Sequence, residues 1–180
     1  MTLVTGPGLA TKGAEVEPLH SRYPRARLLG HGNATAGQVL TALDGAWLAH
    51  IAAHGTFRAD NPMFSSILLD DGPLIVHDFE RLRRAPYQMV LAGCDSGVAA
   101  PVGADELLGL VSSLMPLGAA GIVASVVPVN DEAAVPVMLA LHDALQGGAT
   151  LAESLLTTRK EVGSDLLALA TAHSFLALGA

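Results

Sequence analysis

The chain has 180 residues, of which 51% are hydrophobic, 15% charged and 4% aromatic, and its 10 basic and 17 acidic side chains leave a net charge of −7. That length and composition suit a single domain, residues 1–180, with a packed core, and exclude intrinsic disorder, collagen and coiled coil. The acidic balance argues against nucleic acid as a partner, and the one cysteine, Cys94, excludes an internal disulfide and a multi-thiolate metal site.

Taken in order, the elements alternate between strand and helix patterns. Thr2–Thr5 is a first strand, residues 13–22 a weak helix and Arg27–Gly30 a second strand. Thr35-Ala36-Gly37-Gln38 has the form of a capping box and opens a helix whose Val39, Leu40 and Leu43 face one way. Trp47–Ala52 is apolar on both faces apart from His50, as a central parallel strand should be. Ile67–Leu69 and Leu74–Val76 flank Asp71-Gly72 as a hairpin. A short helix over 78–84 precedes a central strand, Gln88–Ala92, and a glycine-rich loop from Gly93 to Gly103. Leu107, Leu108, Val111, Leu114 and Met115 keep helical spacing up to Gly118. Ala120–Val127 is a buried strand, and residues 132–146 form a helix that Asp131 is placed to cap. Thr150-Leu151-Ala152-Glu153 is a second capping box, opening a helix to about residue 161. Residues 165–172 continue as helix, and Phe175–Leu178 is a last strand. This alternation predicts an α/β fold with a mostly parallel sheet covered on both faces by helices.

Met1–Val4 leads into Gly6-Pro7-Gly8 without a basic or apolar leader, and Leu107–Val129 is broken by Pro116, Gly118, Gly121 and Pro128. Neither a signal peptide nor a membrane span is expected, and a cytoplasmic location follows as the default. The glycine pairs Gly6-Pro7-Gly8 and Gly30-His31-Gly32 have Thr11 and Thr35 where a dinucleotide fingerprint needs its third glycine, and there is no phosphate-binding G-x-x-x-x-G-K-[ST]. No metal or organic cofactor is expected.

Two segments carry the chemistry: Trp47-Leu48-Ala49-His50-Ile51-Ala52-Ala53-His54-Gly55 and Met89-Val90-Leu91-Ala92-Gly93-Cys94-Asp95-Ser96-Gly97. Each is an apolar strand ending in a reactive side chain beside glycine. In open α/β sheets, ligands bind outside the carboxyl ends of the strands. Neighbouring parallel strands would therefore bring His54 and Cys94 to one edge as base and nucleophile. The amides of Gly55 and Cys94 are candidates for an oxyanion hole. His50 and His54 share a strand face but lie too far apart to hold one metal, and His50 is expected to be structural. Taken singly, a buried cysteine is usually an inert hydrophobe and a strand-end histidine merely hydrogen-bonded.

These segments resemble the CHAT family of caspase-like peptidases. His50-Ile51-Ala52-Ala53-His54-Gly55 is similar to the family's H-x-A-x-H-G, and Leu91-Ala92-Gly93-Cys94-Asp95-Ser96-Gly97 to its L-x-A/G-C-x-S-G. Leu68–Leu74, Asp105–Leu110 and Ser125–Ala133 follow in the family's order. The resemblance implies a caspase-like three-layer α/β/α sandwich and a cysteine endopeptidase, with Cys94 as nucleophile and His54 as general base and acid. Gly55 and Cys94 would line the oxyanion hole. Asp131 matches the position where related separases recognise a basic residue before the scissile bond; its competing role is as a helix cap. Asp95 is a second candidate for that pocket. The implied partners are a protein or peptide substrate and a regulatory or repeat domain, and the chain is read as one domain of a longer protein. Val126-Val127 stands where Leu-Trp is commoner, the last strand lacks a preceding Trp, and no tetratricopeptide repeat is present. The alternative reading is a non-catalytic interaction module on the same fold.

Overall fold

The computed structural model describes residues 1–56, 58, 60–93, 113–163 and 165–179. Cys94 and Asp95, with the loop and most of the helix expected over 93–118, lie outside the described residues. Among those described, the strands are β1 (Thr2–Thr5), β2 (Arg27–Leu29), β3 (Leu48–Ala52), β4 (Gly55–Thr56), β5 (Ser66–Leu69), β6 (Gly72–Ile75), β7 (Gln88–Leu91), β8 (Gly121–Ser125) and β9 (Phe175–Gly179). The α-helices are α1 (Val16–Arg22), α2 (Ala36–Leu43), α3 (Asp131–Gln146), α4 (Leu151–Glu161) and α5 (Leu166–Ser174).

Six strands form the central sheet in the order β2-β1-β3-β7-β8-β9. The first five are mutually parallel, and β9 closes one edge antiparallel to β8. The period-2 alternation of the strands divides the core into two layers. Val4, Ala49, Ile51, Met89, Leu91 and Ile122 pack on the side of α2 and the β5–β6 hairpin. Leu3, Leu48, Val90 and Val123 pack against α1, α3 and α4 through Val16, Leu19, Val137, Leu141 and Leu155. The result is the expected three-layer α/β/α arrangement.

The hairpin is where the sequence places it, but it joins β4 in a separate three-stranded antiparallel sheet. It also changes how α2 begins. Thr35 occupies the N-cap position, yet its side chain accepts no capping hydrogen bond. Asp71 instead accepts from the Ala36 N–H at 2.9 Å, and Asp70 from the Ala34 N–H at 2.8 Å. Carboxylates supplied by the hairpin turn thus replace the local box, suiting the positive end of the helix. A second correction concerns α3: Asn130, rather than Asp131, is its N-cap, accepting from the Ala133 N–H at 3.0 Å. The weak first helix begins only at Val16, after Lys12 and Gly13 turn with positive φ.

At α4 the box forms as expected. Thr150 Oγ1 accepts from the Glu153 N–H at 3.2 Å, and the Thr150 N–H donates to Glu153 Oε2 at 2.9 Å. The helix expected over 165–172 is α5, and Asp165 caps it, accepting from the N–H groups of Leu167 and Ala168. Because α4 contributes Leu151 and Leu155 to the core, its start matters for global stability. Replacing Thr150 with Ala is expected to lower the unfolding free energy by about 1 kcal/mol, read as a shifted urea midpoint with an unchanged slope.

Candidate active site

The chain runs from β1 outward to β2, then returns to β3 on the other side of β1. The strand order therefore reverses between β1 and β3, and the crevice beyond their carboxyl ends is the favoured ligand position in such a sheet. His54 stands there, two residues past the end of β3. Its carbonyl accepts from the Leu68 N–H at 2.8 Å, so the hairpin sheet fixes its backbone. The imidazole lies against the loop after β1: a Cβ on Gly8 would sit 3.6 Å from His54 Nε2. Gly8 has φ +79, a left-handed conformation in which glycine avoids strain.

The ends of β1, β3 and β7 approach closely around Ala53. The Gly6 N–H donates to the Ala52 carbonyl at 2.8 Å, and the Ala92 N–H to the Ile51 carbonyl at 2.9 Å. A Cβ on Gly6 would fall 2.7 Å from the Ala53 Cβ, and one on Gly93 would strike the Ala53 carbonyl. Gly93 is thus required by sterics. The residues immediately preceding His54 and Cys94, Ala53 and Gly93, are in backbone contact at one edge of the sheet. Gly55 opens β4 beside them and shares a mostly apolar pocket with Gly93, Ile51, Leu91, Phe79 and Ser125.

Asp131 comes to the same edge from the other layer. It lies in the first turn of α3 and accepts from the Ala10 N–H at 3.1 Å, so the loop after β1 touches both His54 and Asp131. With Glu15, Thr11, Ala92 and Gly93 it lines a niche of about 10 Å3, the room of a single water.

The sequence singled out His50 but not its partners. It is fully buried, with Nδ1 3.1 Å from His142 Nε2, and His142 Nδ1 is 3.3 Å from the Tyr23 hydroxyl. On its other side, His50 Nε2 faces Glu15 Oε1 at 3.7 Å. The arrangement that agrees with Glu15 keeps the His50 proton on Nε2, facing the carboxylate, and lets His50 Nδ1 accept from the His142 Nε2–H; the Tyr23 hydroxyl, 3.3 Å from both His142 Nδ1 and the His142 carbonyl, then donates to one of them. Burial works to raise the Glu15 carboxyl, but the His50 imidazole outweighs it and holds the group below its ordinary value. Burial, then His50 and Arg22, push His142 down from 6.5 to about 2. His142 sits on the core face of α3 at a position whose neighbours, Met138 and Leu141, are apolar. Its i,i+4 relation to Met138 is the one signal that could have found it.

A model of the CHAT domain matches residues 2–169. The chain belongs to the CHAT family. No curated protein sequence matches it. Among solved structures, this CHAT domain is similar to a complex of Porphyromonas gingivalis RgpB pro- and mature domains, at 14% identity and TM-score 0.60, covering 99% of this chain and 47% of that one. It is also similar to the Arg specific cysteine proteinase gingipain R, at 12% identity and TM-score 0.62, covering 99% and 45%. The CHAT domain thus shares the caspase-like fold of these gingipains and spans about half of their length. Among the described residues no group of three or more His, Cys, Asp or Glu is arranged to hold a metal, and no helix is long and apolar enough to cross a membrane.

Two outcomes test this geometry. Gly93→Ala must displace the Ala53 backbone and is expected to cost about 2 kcal/mol or more in chemical unfolding. His142 remains neutral in the fold but takes up a proton below pH 6.5 when unfolded. Its depressed value makes stability full above pH 6.5 and progressively lost as pH falls toward 2, at up to about 1.4 kcal/mol per pH unit. His142→Phe should flatten the unfolding free energy against pH between 6.5 and 4.5, relative to the unmodified chain.

Proposed function

We propose that this CHAT domain is a cysteine endopeptidase working through a His54–Cys94 dyad. The observation that carries the reading is the Ala53–Gly93 backbone contact at the strand-order reversal, since these residues immediately precede the proposed base and nucleophile. The likeness in fold to cysteine proteinases supports it.

In the proposed reaction His54 takes the Cys94 proton, and the sulfur adds to the scissile carbonyl carbon. The amides of Gly55 and Cys94 bind the resulting oxyanion. Collapse of the tetrahedral adduct breaks the C–N bond; the amine leaves with the proton held by His54, and a thioester remains on Cys94. Water, deprotonated by His54, adds to the thioester, and the thiol is released with the new carboxylate. The Leu68 N–H fixes the His54 carbonyl, and the Gly8 backbone lies beside its ring.

A preference for a basic residue before the scissile bond rests on Asp131, with Asp95 as a second contributor. The Asp131 carboxylate lines the niche beside Gly93, together with that of Glu15. A cationic side chain would meet these carboxylates only if the Leu9–Thr11 segment gives way, since the niche is sized for one water. The apolar pocket beside Gly55 offers no comparable charge.

Digestion of a peptide library tests the reading. The wild-type domain is expected to cleave after Arg or Lys, Cys94→Ala and His54→Ala to lose about 1,000-fold or more of that turnover, and Asp131→Asn to weaken the basic preference selectively. Equal turnover by wild type and dyad variants, or none by any, overturns the endopeptidase and leaves an interaction module.

A further inference from the structure

At the opposite, amino-terminal edge of the sheet, a groove of about 340 Å3 is lined by Tyr23, Pro24, Trp47, Arg22 and Arg25, among others. It lies where the chain enters β2 and β3, away from His54. Trp47 is the chain's single tryptophan and is 51% exposed. A large apolar ring left half in water at a concave site is a candidate binding anchor rather than core filling.

The walls of the groove are held from behind. Tyr23 packs against Trp47 with ring centroids 6.2 Å apart and edge-on against buried His142 at 5.6 Å. Its hydroxyl is tied to His142, and burial followed by the Asp143 charge pushes it up to about 12, so it stays neutral. Arg22 forms a two-pronged pair with Asp143 and its carbonyl accepts from Gln146 Nε2 at 2.8 Å, clamping the end of α1 to α3. A preformed aromatic wall needs little ordering when a ligand arrives.

The charge of the region is opposite to that of the molecule. Arg22, Arg25 and Arg27 fall within six residues of a chain whose net charge is −7. Arg25 and Arg27 are exposed and have no ion-pair partner among the described residues. The interior of the groove is apolar and aromatic, with guanidinium groups at its margin. Aromatic-lined grooves of this kind accept extended, proline-containing segments, whose conformation is already restricted before binding. Carboxylates flanking such a segment complement the free arginines.

We propose that this groove is a docking site for an acidic, proline-containing extended peptide segment of a partner protein. The apolar anchor packs onto the face formed by Tyr23 and Trp47, and the flanking carboxylates meet Arg25, which lines the groove, with Arg27 two residues further along the chain. The site does not depend on the proteolytic reading and lies on the other edge of the sheet.

Because Trp47 is the only tryptophan, its emission reports on the groove directly. The probe is a capped peptide of repeating Glu-Pro-Leu units, titrated into the intact chain. The expected result is a saturable blue shift, weakened about tenfold or more by Arg25→Glu and by raised salt. With a dye-labelled peptide followed by anisotropy, Trp47→Leu should abolish binding. A Lys-Pro-Leu peptide should leave the emission unchanged. No spectral change up to millimolar probe, an equal response to the lysine peptide, or tighter binding of a single-stranded oligonucleotide overturns the proposal. So does an emission shift that follows protein concentration with a matching mass increase in sedimentation, which would make the occupant a second copy.

Discussion

The closeness of three strand ends around Ala53 is the constraint on which the candidate site depends. Backbone hydrogen bonds hold neighbouring strands about 4.8 Å apart, but where the chain leaves the sheet a side chain can block the approach of the next exit. Here Gly6 on one side and Gly93 on the other carry no Cβ, and the Ala53 backbone moves into the space. The contact draws the exit of β7 onto the exit of β3 at the point where the strand order reverses. The hairpin sheet then fixes the next residue, since the His54 carbonyl is tied to Leu68. Any side chain at residue 93 would push the two exits apart, and with them the two segments that carry the reactive residues.

Beneath this edge runs a line of buried polar groups, from Glu15 through His50 and His142 to Tyr23. It joins the α1 layer to β3 and α3, the elements that bear His54 and Asp131. Burying two imidazoles is costly unless their nitrogens are paired. Most of the pairing is met, but Glu15 Oε2 and His50 Nε2 have no hydrogen-bond partner among the described residues. The neighbouring niche has room for one water, which could serve Glu15.

Much of this was legible in the sequence because the signals were periodic. The apolar runs of β3, interrupted only by His50, and of β7 marked them as central parallel strands, and His54 stands just past the end of the first. The Asp71-Gly72 turn and the Thr150 box were local chemistry and formed locally. What the sequence hid was long-range. Thr35 lost its capping role because carboxylates 35 and 36 residues away reached the α2 terminus first. Asp131 was expected to cap α3, but Asn130 takes that place by accepting from the Ala133 N–H, and Asp131 instead accepts from the Ala10 amide, 121 residues away. Gly6, weighed above only as part of a failed nucleotide motif, is explained by its contact with Ala53. His142 gave no sign beyond its place on an apolar helix face, because its partners lie 92 and 119 residues away.

The central claim is that the ends of β3 and β7 place His54 where it can activate the Cys94 thiol. The rate of Cys94 alkylation by iodoacetamide between pH 6 and 9 tests it most directly, because a thiolate reacts and a thiol does not. In the intact chain the rate should already be high near pH 6.5, and His54→Ala should shift the rise toward the alkaline behaviour of a free cysteine, while His50→Asn leaves it near wild type. Superimposable profiles for the intact chain and the His54 variant, both folded, would contradict the account.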